Sequence, residues 1–146
     1  MVRVNLIKPF NLADQHLIAE YAEILMLMAY IRAHPGEDDV REDDIPVRST
    51  MGKGHMRFFK DKALYLKKRH EELKKEMRKR GFVPKRSLSL AGMKKSLLND
   101  WKPNPQDLQI IKKRLIQKLK MEPEWYRYYG EHRPKKFLIR LVSESE

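Results

Sequence analysis

The sequence predicts a mainly α-helical protein that folds as a single compact domain of three principal helices. Three stretches of the chain repeat apolar residues every three or four positions, which places those residues on one side of a helix. Residues that start or stop helices stand at the ends of these stretches. A length of 146 residues suits one domain with a modest core, so residues 1–146 are assigned to one unit.

The first predicted helix follows Asn11, a good helix cap, with Asp14 three residues later as in a capping box. It should stop at His34-Pro35-Gly36, where proline and glycine interrupt helices. From Val2 to Ile7 apolar and polar residues alternate, which predicts an extended segment. We expect this segment to pack against the first and third helices.

The second predicted helix starts near Gly54 or His55 and runs to Arg80, with Gly81 ending it. The tripeptide Gly52-x-Gly54 is too short for a nucleotide-binding fingerprint and follows no clear strand, so a turn before the helix is the better interpretation. The third predicted helix begins at Asn104-Pro105, an N-cap followed by proline, and runs to about Lys120.

Three other stretches do not follow the helical pattern. Residues 37–44 are acidic and predict a solvated loop rather than a metal site, because like-charged surface loops usually bind nothing. The basic stretch 83–102 contains proline and glycine and predicts a loop with one helical turn. The C-terminal tail, 131–146, includes an apolar run at 137–142 that predicts an extended segment able to pair with residues 2–7.

The net charge of +12 points to a polyanionic partner, most simply nucleic acid, although a ribosome-like partner or a membrane surface would give the same charge. Cysteine is absent from the sequence, which excludes disulfides and thiolate metal sites. The longest apolar run, Ile24 to Ile31, is too short to span a bilayer, and we find no signal peptide. We therefore expect a cytoplasmic, nucleoid-associated monomer that is not secreted and does not bind membranes.

The start of the chain offers an amine suited to nucleophilic chemistry. Removal of Met1 before the small residue Val2 would expose an α-amine, whose pKa is about 7.7–8 against about 10.4 for lysine. A useful fraction of such an amine is neutral and nucleophilic near neutral pH. Helical spacing also puts Glu23 on one stripe with His16 and Glu20, where a carboxylate facing the chain start could stabilise positive charge and move protons.

The stretch Trp125-Tyr126-Arg127-Tyr128-Tyr129 packs four aromatic rings and a cation into five residues. Rings with an interleaved arginine suit stacking on bases and contact with phosphate. We expect Trp125 and Tyr128 to pack inward, and Arg127 with Tyr126 or Tyr129 to face nucleic acid. On the third helix, Arg114 and Lys118 lie one turn apart, a spacing suited to tracking a phosphate backbone.

Three blocks of the sequence together resemble the phage-type pyrimidine-dimer DNA glycosylase family, also called pyrimidine-dimer-specific endonuclease V. The first and third of these blocks are specific, whereas the second alone would be weak. The blocks are residues 12–23, residues 52–62 continuing to 79–82, and residues 114–130. The tail at 131–146 lies outside the resemblance.

The resemblance implies a bifunctional DNA glycosylase and abasic-site lyase that acts on pyrimidine dimers in duplex DNA during base excision repair. It implies that the Val2 amine forms a Schiff base at C1′, that β-elimination follows, and that Glu23 is the catalytic carboxylate. No metal or organic cofactor is implied, and damaged double-stranded DNA is the partner. Positions that match DNA-contacting residues of the family, or belong to the aromatic stretch, are Arg3, Gln15, His16, Arg114, Lys118, Trp125, Tyr126, Arg127 and Tyr129.

The chain departs from the family pattern at Ala22 and Met26, where the phage enzyme has arginines facing DNA. Two alternatives to dimer repair follow. One is a glycosylase or lyase for abasic sites or another damaged base, which these two positions favour. The other is a non-enzymatic basic nucleic-acid-binding protein, which the charge alone would explain.

Overall fold

The computed structural model describes residues 4–33 and 58–145 of the chain. These residues include four complete α-helices: α1 (Asp14–Ala33), α2 (Ala63–Lys79), α3 (Pro105–Met121) and α4 (Lys135–Glu144). They also include two 3-10 turns, Pro9–Asn11 and Lys95–Leu97, and an antiparallel hairpin of two short strands, β1 (Arg127–Tyr128) and β2 (Glu131–His132). The prediction of a mainly α-helical protein is confirmed.

Helices α1 and α2 pack against each other in opposite directions, because Asp14 near the start of α1 contacts Arg80 and Glu20 further along contacts Arg69. Helix α4 lies on α3. The core contains buried aliphatic side chains from these helices and a group of aromatic rings around Phe59. Burial of such apolar side chains is the main stabilising contribution to a fold of this size.

Two helix ends form as the sequence predicts. Gly81 follows α2 with φ of +89°, while the amides of Gly81 and Phe82 donate to the carbonyls of Arg78 and Met77. This is a Schellman ending, which needs a residue that tolerates positive φ. At the start of α3, Asn104 and Asp107 each accept a hydrogen bond from the other's backbone amide, a complete capping box.

Other predicted boundaries are wrong. The chain makes a turn at 60–61 and α2 starts only at Ala63, so the second helix is not continuous from residue 55 to Arg80. Its predicted start lies outside the described residues, as do the acidic stretch 37–44 and the predicted stop of the first helix at 34–36. The predicted capping box of α1 is also wrong. Asn11 belongs to a 3-10 turn and donates its amide to the Leu141 carbonyl, while Asp14 binds other backbone amides.

The C-terminal tail forms helix α4 rather than an extended segment. Its buried residues Leu138 and Val142 are four positions apart, a helical spacing that is concealed by the apolar residues around Arg140. The tail does reach the start of the chain, although not as a paired strand. The Ser145 hydroxyl accepts a hydrogen bond from the Lys8 amide at 3.3 Å, and Leu141 accepts one from Asn11 at 2.7 Å.

The segment 4–8 is largely buried but is not a strand, so the predicted strand-like start is wrong for the described part of it. Residues 82–99, after α2, run back along the groove between α1 and α2 without forming a long helix. Tyr21 contacts the backbone of Arg86, Lys67 donates to the Leu88 carbonyl, and Asn99 donates to the Asp61 carbonyl. In the described part of the chain, the helices are too short or too polar to cross a membrane.

Candidate functional site

Helix α1 carries the stripe of residues on which the sequence places the candidate catalytic residue Glu23. Glu20 and Leu27 are fully buried and His16 is nearly so, while Glu23 is half-buried at the edge of that face. The stripe therefore faces inward, and Glu23 is its accessible carboxylate. The predicted nucleophile Val2 and the neighbouring Arg3 lie outside the described residues.

A buried ion pair holds the chain start to α1. The Arg69 guanidinium donates from Nε to one Glu20 carboxylate oxygen at 2.6 Å and from Nη2 to the other at 2.9 Å. Its Nη1 donates to the Ile7 carbonyl at 2.6 Å. Burial alone would lower the pKa of Arg69, but the Glu20 carboxylate raises it above its ordinary value, so Arg69 stays charged. Arg69 thus links residue 7 to Glu20, which precedes Glu23 by three residues on α1.

Immediately before this anchor the backbone turns sharply. Leu6 has φ of +61°, and the Ile7 amide donates to the Asn5 carbonyl at 2.6 Å, which together form a γ-turn. A leucine at positive φ is strained by about 1–2 kcal/mol and persists only where its surroundings enforce it. Here the side chain of Leu6 is buried and the next carbonyl is held by Arg69. The turn sets the direction in which the chain leaves toward its first residues.

The start of α1 also holds the aromatic stretch. The Gln15 amide donates to the Trp125 carbonyl at 2.6 Å and accepts from the Arg127 amide at 2.9 Å. The Asp14 carboxylate accepts from the Tyr129 and Gly130 amides at 3.1 and 2.7 Å. In this conformation, both the oxygen and the nitrogen of the Gln15 side-chain amide are therefore hydrogen-bonded, the oxygen to the hairpin and the nitrogen to Trp125 shortly before it. A DNA contact of Gln15, as the sequence resemblance implies, stays a prediction.

The hairpin that follows has a two-residue turn. Tyr129 and Gly130 have φ of +54° and +75°, the signs that a type I′ turn requires. Below it lies Arg80, whose side chain is 0% exposed and donates to Asp14, Glu76 and three backbone carbonyls. The Arg80 guanidinium also stacks over the Tyr128 and Tyr129 rings at 4.6 and 4.8 Å. One arginine thus joins the end of α2, the start of α1 and the hairpin.

The aromatic side chains divide differently from the prediction. Tyr128 is buried as expected, and its hydroxyl donates to the Phe10 carbonyl. Trp125 is 56% exposed, so the prediction that it packs inward is wrong. Tyr126 is only 5% exposed and covered by the His16 and Trp125 rings, so its ring is not available for stacking on a base in this conformation. Arg127 is exposed, as is much of Tyr129.

His16 is a buried neutral residue at the join between α1 and α3. Burial, reinforced by the nearby charges of Lys118 and Arg114, lowers the pKa of His16 to about 4. Neither ring nitrogen has a hydrogen-bond partner within the described residues. The ring lies 4.7 Å from that of Tyr126, measured between centroids. The structure thereby brings together four predicted residues, His16, Arg114, Lys118 and Tyr126, which the sequence separates by about a hundred positions.

The two departures from the family pattern lie on the exposed side of α1. Ala22 is exposed and Met26 is 62% exposed, so neither takes part in the core. Both neighbour Glu23 along the helix. The exposed surface beside the Glu23 carboxylate is therefore apolar and uncharged at these two positions.

Sequence reasoning missed three residues that organise this site: Asp14 as a hairpin anchor, Arg69 and Arg80. The signal in the sequence that could have identified Arg69 is a charged residue on the apolar stripe of a helix. Arg69 adjoins Leu66, His70 and Leu73 on the inward side of α2, and a buried arginine there needs a carboxylate partner. Within residues 4–33 and 58–145, acidic and histidine side chains form no cluster able to hold a metal ion.

A family model described as pyrimidine dimer DNA glycosylase matches residues 1–90. The match includes α1, α2 and the segment that precedes α1, and it covers more than half of the 146 residues. It therefore contains Glu23, the Arg69–Glu20 pair and the chain start. The hairpin and helices α3 and α4 follow after it.

Proposed function

The chain belongs to the pyrimidine dimer DNA glycosylase family, and from this premise we propose that it excises pyrimidine dimers from duplex DNA and then cuts the strand as an abasic-site lyase. It would act as a monomer on damaged double-stranded DNA in base excision repair. The amine supplies the covalent chemistry, so the proposal needs no metal or organic cofactor.

The nucleophile in this proposal is the α-amine of Val2 after removal of Met1. The amine nitrogen attacks C1′, the glycosidic bond to the damaged base breaks, and the base leaves with a proton. Opening of the sugar ring gives an imine between C1′ and the amine. Loss of a C2′ proton then expels the 3′ phosphate, which cuts the strand on the 3′ side of the lesion by β-elimination.

We assign the proton transfers to Glu23. A half-buried carboxylate can stabilise positive charge as it develops on the sugar, and can accept and return protons during imine formation and elimination. Glu20 cannot take this role, because both of its oxygens are bound by Arg69 in the core. The two glutamates of one stripe thus have separate tasks, one structural and one catalytic.

The observation that carries the proposal is the anchor between Arg69 and the Ile7 carbonyl, beside Glu20. Val2 lies two positions before Val4, the first of the buried residues 4–7, and an extended chain spans about 3.3–3.6 Å per residue. Glu23 lies about 4.5 Å further along the helix than Glu20, at 1.5 Å per residue. We propose that these first residues bring the amine beside Glu23.

The DNA-holding surface would combine cations of α3 with the hairpin. Arg114 and Lys118 lie near His16 in the first turn of α1, and the exposed Trp125, Arg127 and Tyr129 are the groups available for stacking and phosphate contact. We assign Gln15, His16 and Tyr126 to supporting this surface from below, with Arg3 as a phosphate contact. Extrusion of a base from a kinked duplex would then let this small protein reach C1′ without a deep pocket.

A second candidate is a lyase that cuts abasic sites and ignores dimers. The exposed and uncharged Ala22 and Met26 favour it, because cations at these places would help to hold a distorted duplex. Borohydride trapping on abasic and dimer-containing duplexes separates the candidates. Adducts on both substrates support dimer repair, and adducts on abasic DNA alone support the second candidate. If protein that starts at Val2 gives no adduct on either, the chain is not an enzyme of this kind.

A further inference from the structure

Helix α4 is an element of the fold that the proposed chemistry leaves unused. It begins at Lys135, after the hairpin, and lies beyond the residues by which the chain belongs to its family. Its inward side chains, Leu138 and Val142, are each 1% exposed, so the helix is well packed. Its position nevertheless brings it to the two parts of the molecule that have tasks in the proposed function, the hairpin and the chain start.

The last turn of α4 is completed by a residue from the start of the chain. The final carbonyls of a helix lack partners within the helix and need other donors. Here the Leu141 carbonyl accepts from the Asn11 side chain at 2.7 Å, while the Ser145 amide donates to the Val142 carbonyl instead. Asn11 thus caps a helix that lies 130 residues further along the sequence.

A second hydrogen bond joins the end of α4 to the chain start. The Lys8 amide donates to the Ser145 hydroxyl at 3.3 Å, and Ser145 is buried. The Ser145 carbonyl accepts from the side chain of Lys112, which holds the end of the tail against α3. The backbone at residue 8 is therefore linked through Ser145 to α3.

The first turn of α4 contacts the hairpin. The ring of Phe137 lies 5.5 Å from that of Tyr128, measured between centroids. The Tyr128 hydroxyl donates to the Phe10 carbonyl at 2.9 Å, in the same 3-10 turn that contains Asn11. The ten residues of α4 span about 15 Å at 1.5 Å per residue. One helix therefore connects the hairpin with the chain start.

The 3-10 turn Pro9–Asn11 is held by two different elements. Arg80, at the end of α2, donates to the Pro9 and Phe10 carbonyls at 3.1 and 3.2 Å. Helix α4 binds the turn through the Asn11 side chain. Residues 4–8, which precede the turn, belong to no strand in the described part of the chain, so single hydrogen bonds rather than a ladder fix their path. A shift of the turn would therefore also displace these residues.

We propose that α4 positions the chain start for the reaction, with Asn11 and Ser145 as its positioning residues. Together with Arg69, which binds the Ile7 carbonyl, they determine the direction in which the chain leads back to the Val2 amine. The inference rests on the proposed function, because the amine is the nucleophile assigned there. Orientation of a reacting group contributes strongly to rate, and a misplacement of about 1 Å can slow a step by about 100-fold.

The test compares two variants that carry the same side-chain change. Asn11→Asp keeps nearly the shape of asparagine, but it loses the donor and places a carboxylate oxygen against the Leu141 carbonyl. The control Asn99→Asp removes an amide that donates to the Asp61 and Ser96 carbonyls, at 2.9 Å each. Both variants lose hydrogen bonds to the backbone and gain one negative charge, but only the first acts on α4.

The readouts are the single-turnover rate of borohydride-trapped adduct formation at saturating protein and the dissociation constant for the same abasic duplex. We expect Asn11→Asp to slow adduct formation by about 10- to 100-fold, with final yield and affinity within about twofold of those of Asn99→Asp. A merely destabilising change would lower yield and affinity together, because unfolded molecules neither bind nor react. Equal rates in the two variants would overturn the proposal.

Ser145 allows a rescue experiment. Ser145→Ala removes the acceptor of the Lys8 amide, whereas Ser145→Thr retains a hydroxyl. We expect alanine to slow adduct formation by about 3- to 10-fold, as loss of one hydrogen bond would, and threonine to restore the rate. Equal slowing by both substitutions would show that packing of this side chain, rather than its hydrogen bond, is what matters. That result would overturn the role of Ser145 as a positioning residue.

Hydrogen exchange distinguishes failure of this inference from failure of the proposed function. The amides of residues 4–8 should exchange faster in Asn11→Asp than in Asn99→Asp, whether or not the protein is an enzyme. If unsubstituted protein that starts at Val2 forms no adduct, the proposed function fails and the positioning role fails with it; faster exchange would then show only that α4 holds the chain start. If adduct forms, but exchange and rate are equal in the two variants, the inference alone fails.

Discussion

Arg69 binds both carboxylate oxygens of Glu20, at 2.6 and 2.9 Å, in a core where Glu20 is 0% exposed. The same guanidinium reaches the Ile7 carbonyl, so one side chain links α2, α1 and the chain start. Burying both charges of such a pair costs desolvation free energy. The clearest consequence is a large loss of stability when one partner is removed, because the other charge is left buried and unpaired. Here the pair also determines where the first residues begin.

Removal of one member of this pair should destabilise the protein strongly. Glu20→Leu leaves a charged Arg69 buried, which costs about 3–5 kcal/mol in unfolding free energy. The double variant Glu20→Leu/Arg69→Met should be less destabilised than Glu20→Leu or Arg69→Met alone, because no charge remains buried. Urea unfolding of the four proteins provides the measurement. If the double variant loses as much unfolding free energy as the two single variants together, the two charges do not compensate each other in the core.

Substitution of Leu6 should reverse the usual order of stability, in which an alanine variant is more stable than a glycine variant. Leu6→Ala and Leu6→Gly both lose the buried side chain, but only glycine adopts φ of +61° without strain. Leu6→Gly should therefore be at least as stable as Leu6→Ala, by up to about 1 kcal/mol. At an ordinary position alanine would be the more stable of the two. Finding that order by urea unfolding would argue against a strained γ-turn.

Glu23→Gln should remove turnover and preserve DNA binding. Loss of a general acid–base group lowers rates by about 10²–10⁴-fold, while the neutral amide has nearly the same shape. Single-turnover cleavage and equilibrium binding on the same abasic duplex supply the two readouts. Glu71→Gln, an exposed change on α2, is the matched control and should affect neither. Equal loss of binding and cleavage would mean that Glu23 is structural.

His16 should make stability depend on pH between about 6.5 and 4. Its pKa is about 4 when folded against 6.5 for an ordinary histidine, so protons bind more tightly to the unfolded chain. The stability difference is fully present above pH 6.5 and is lost as pH falls toward 4. The unfolding free energy of the protein minus that of His16→Gln should decrease over this range by up to about 3 kcal/mol, at 1.36 kcal/mol per pKa unit. A difference that does not change with pH would show that His16 is already charged or exposed.

Gln15→Glu should release the hairpin while leaving the helical core intact. The new carboxylate can still accept from the Arg127 amide, but it places an acceptor against the Trp125 carbonyl. DNA affinity should fall by about 1–3 kcal/mol if the hairpin must be held to contact DNA. Trp125 anisotropy, recorded in a Trp101→Phe background, should report faster motion, and Gln109→Glu is the control. Unchanged anisotropy would indicate that Asp14 alone fixes the hairpin.

The helical elements could be predicted from the sequence because their signals are local. The Asn104 cap and the Gly81 ending depend on residues within one turn, and the three- and four-residue spacing identifies an inward face. The tail forms a helix although its sequence predicts an extended segment, because a run of five apolar residues interrupted only by Arg140 does not distinguish a strand from a short helix.

The organisation of the site could not be predicted in the same way. Arg69 and Arg80 act through partners 49 and 66 residues away in the chain, at Glu20 and Asp14. No local pattern encodes such a pairing. Trp125 was expected to pack inward because large aromatic residues usually do, but the neighbouring Tyr126 occupies that place against His16.

Identification of the nitrogen that forms the Schiff base tests the central claim most directly. The protein, with its N-terminal mass determined, is trapped by borohydride on an abasic duplex, digested and mapped by mass spectrometry. We predict that the adduct lies on the α-amine of Val2 in chains that have lost Met1, and that chains retaining Met1 give little adduct. An adduct on a lysine side chain, or equal trapping with and without Met1, would contradict the account.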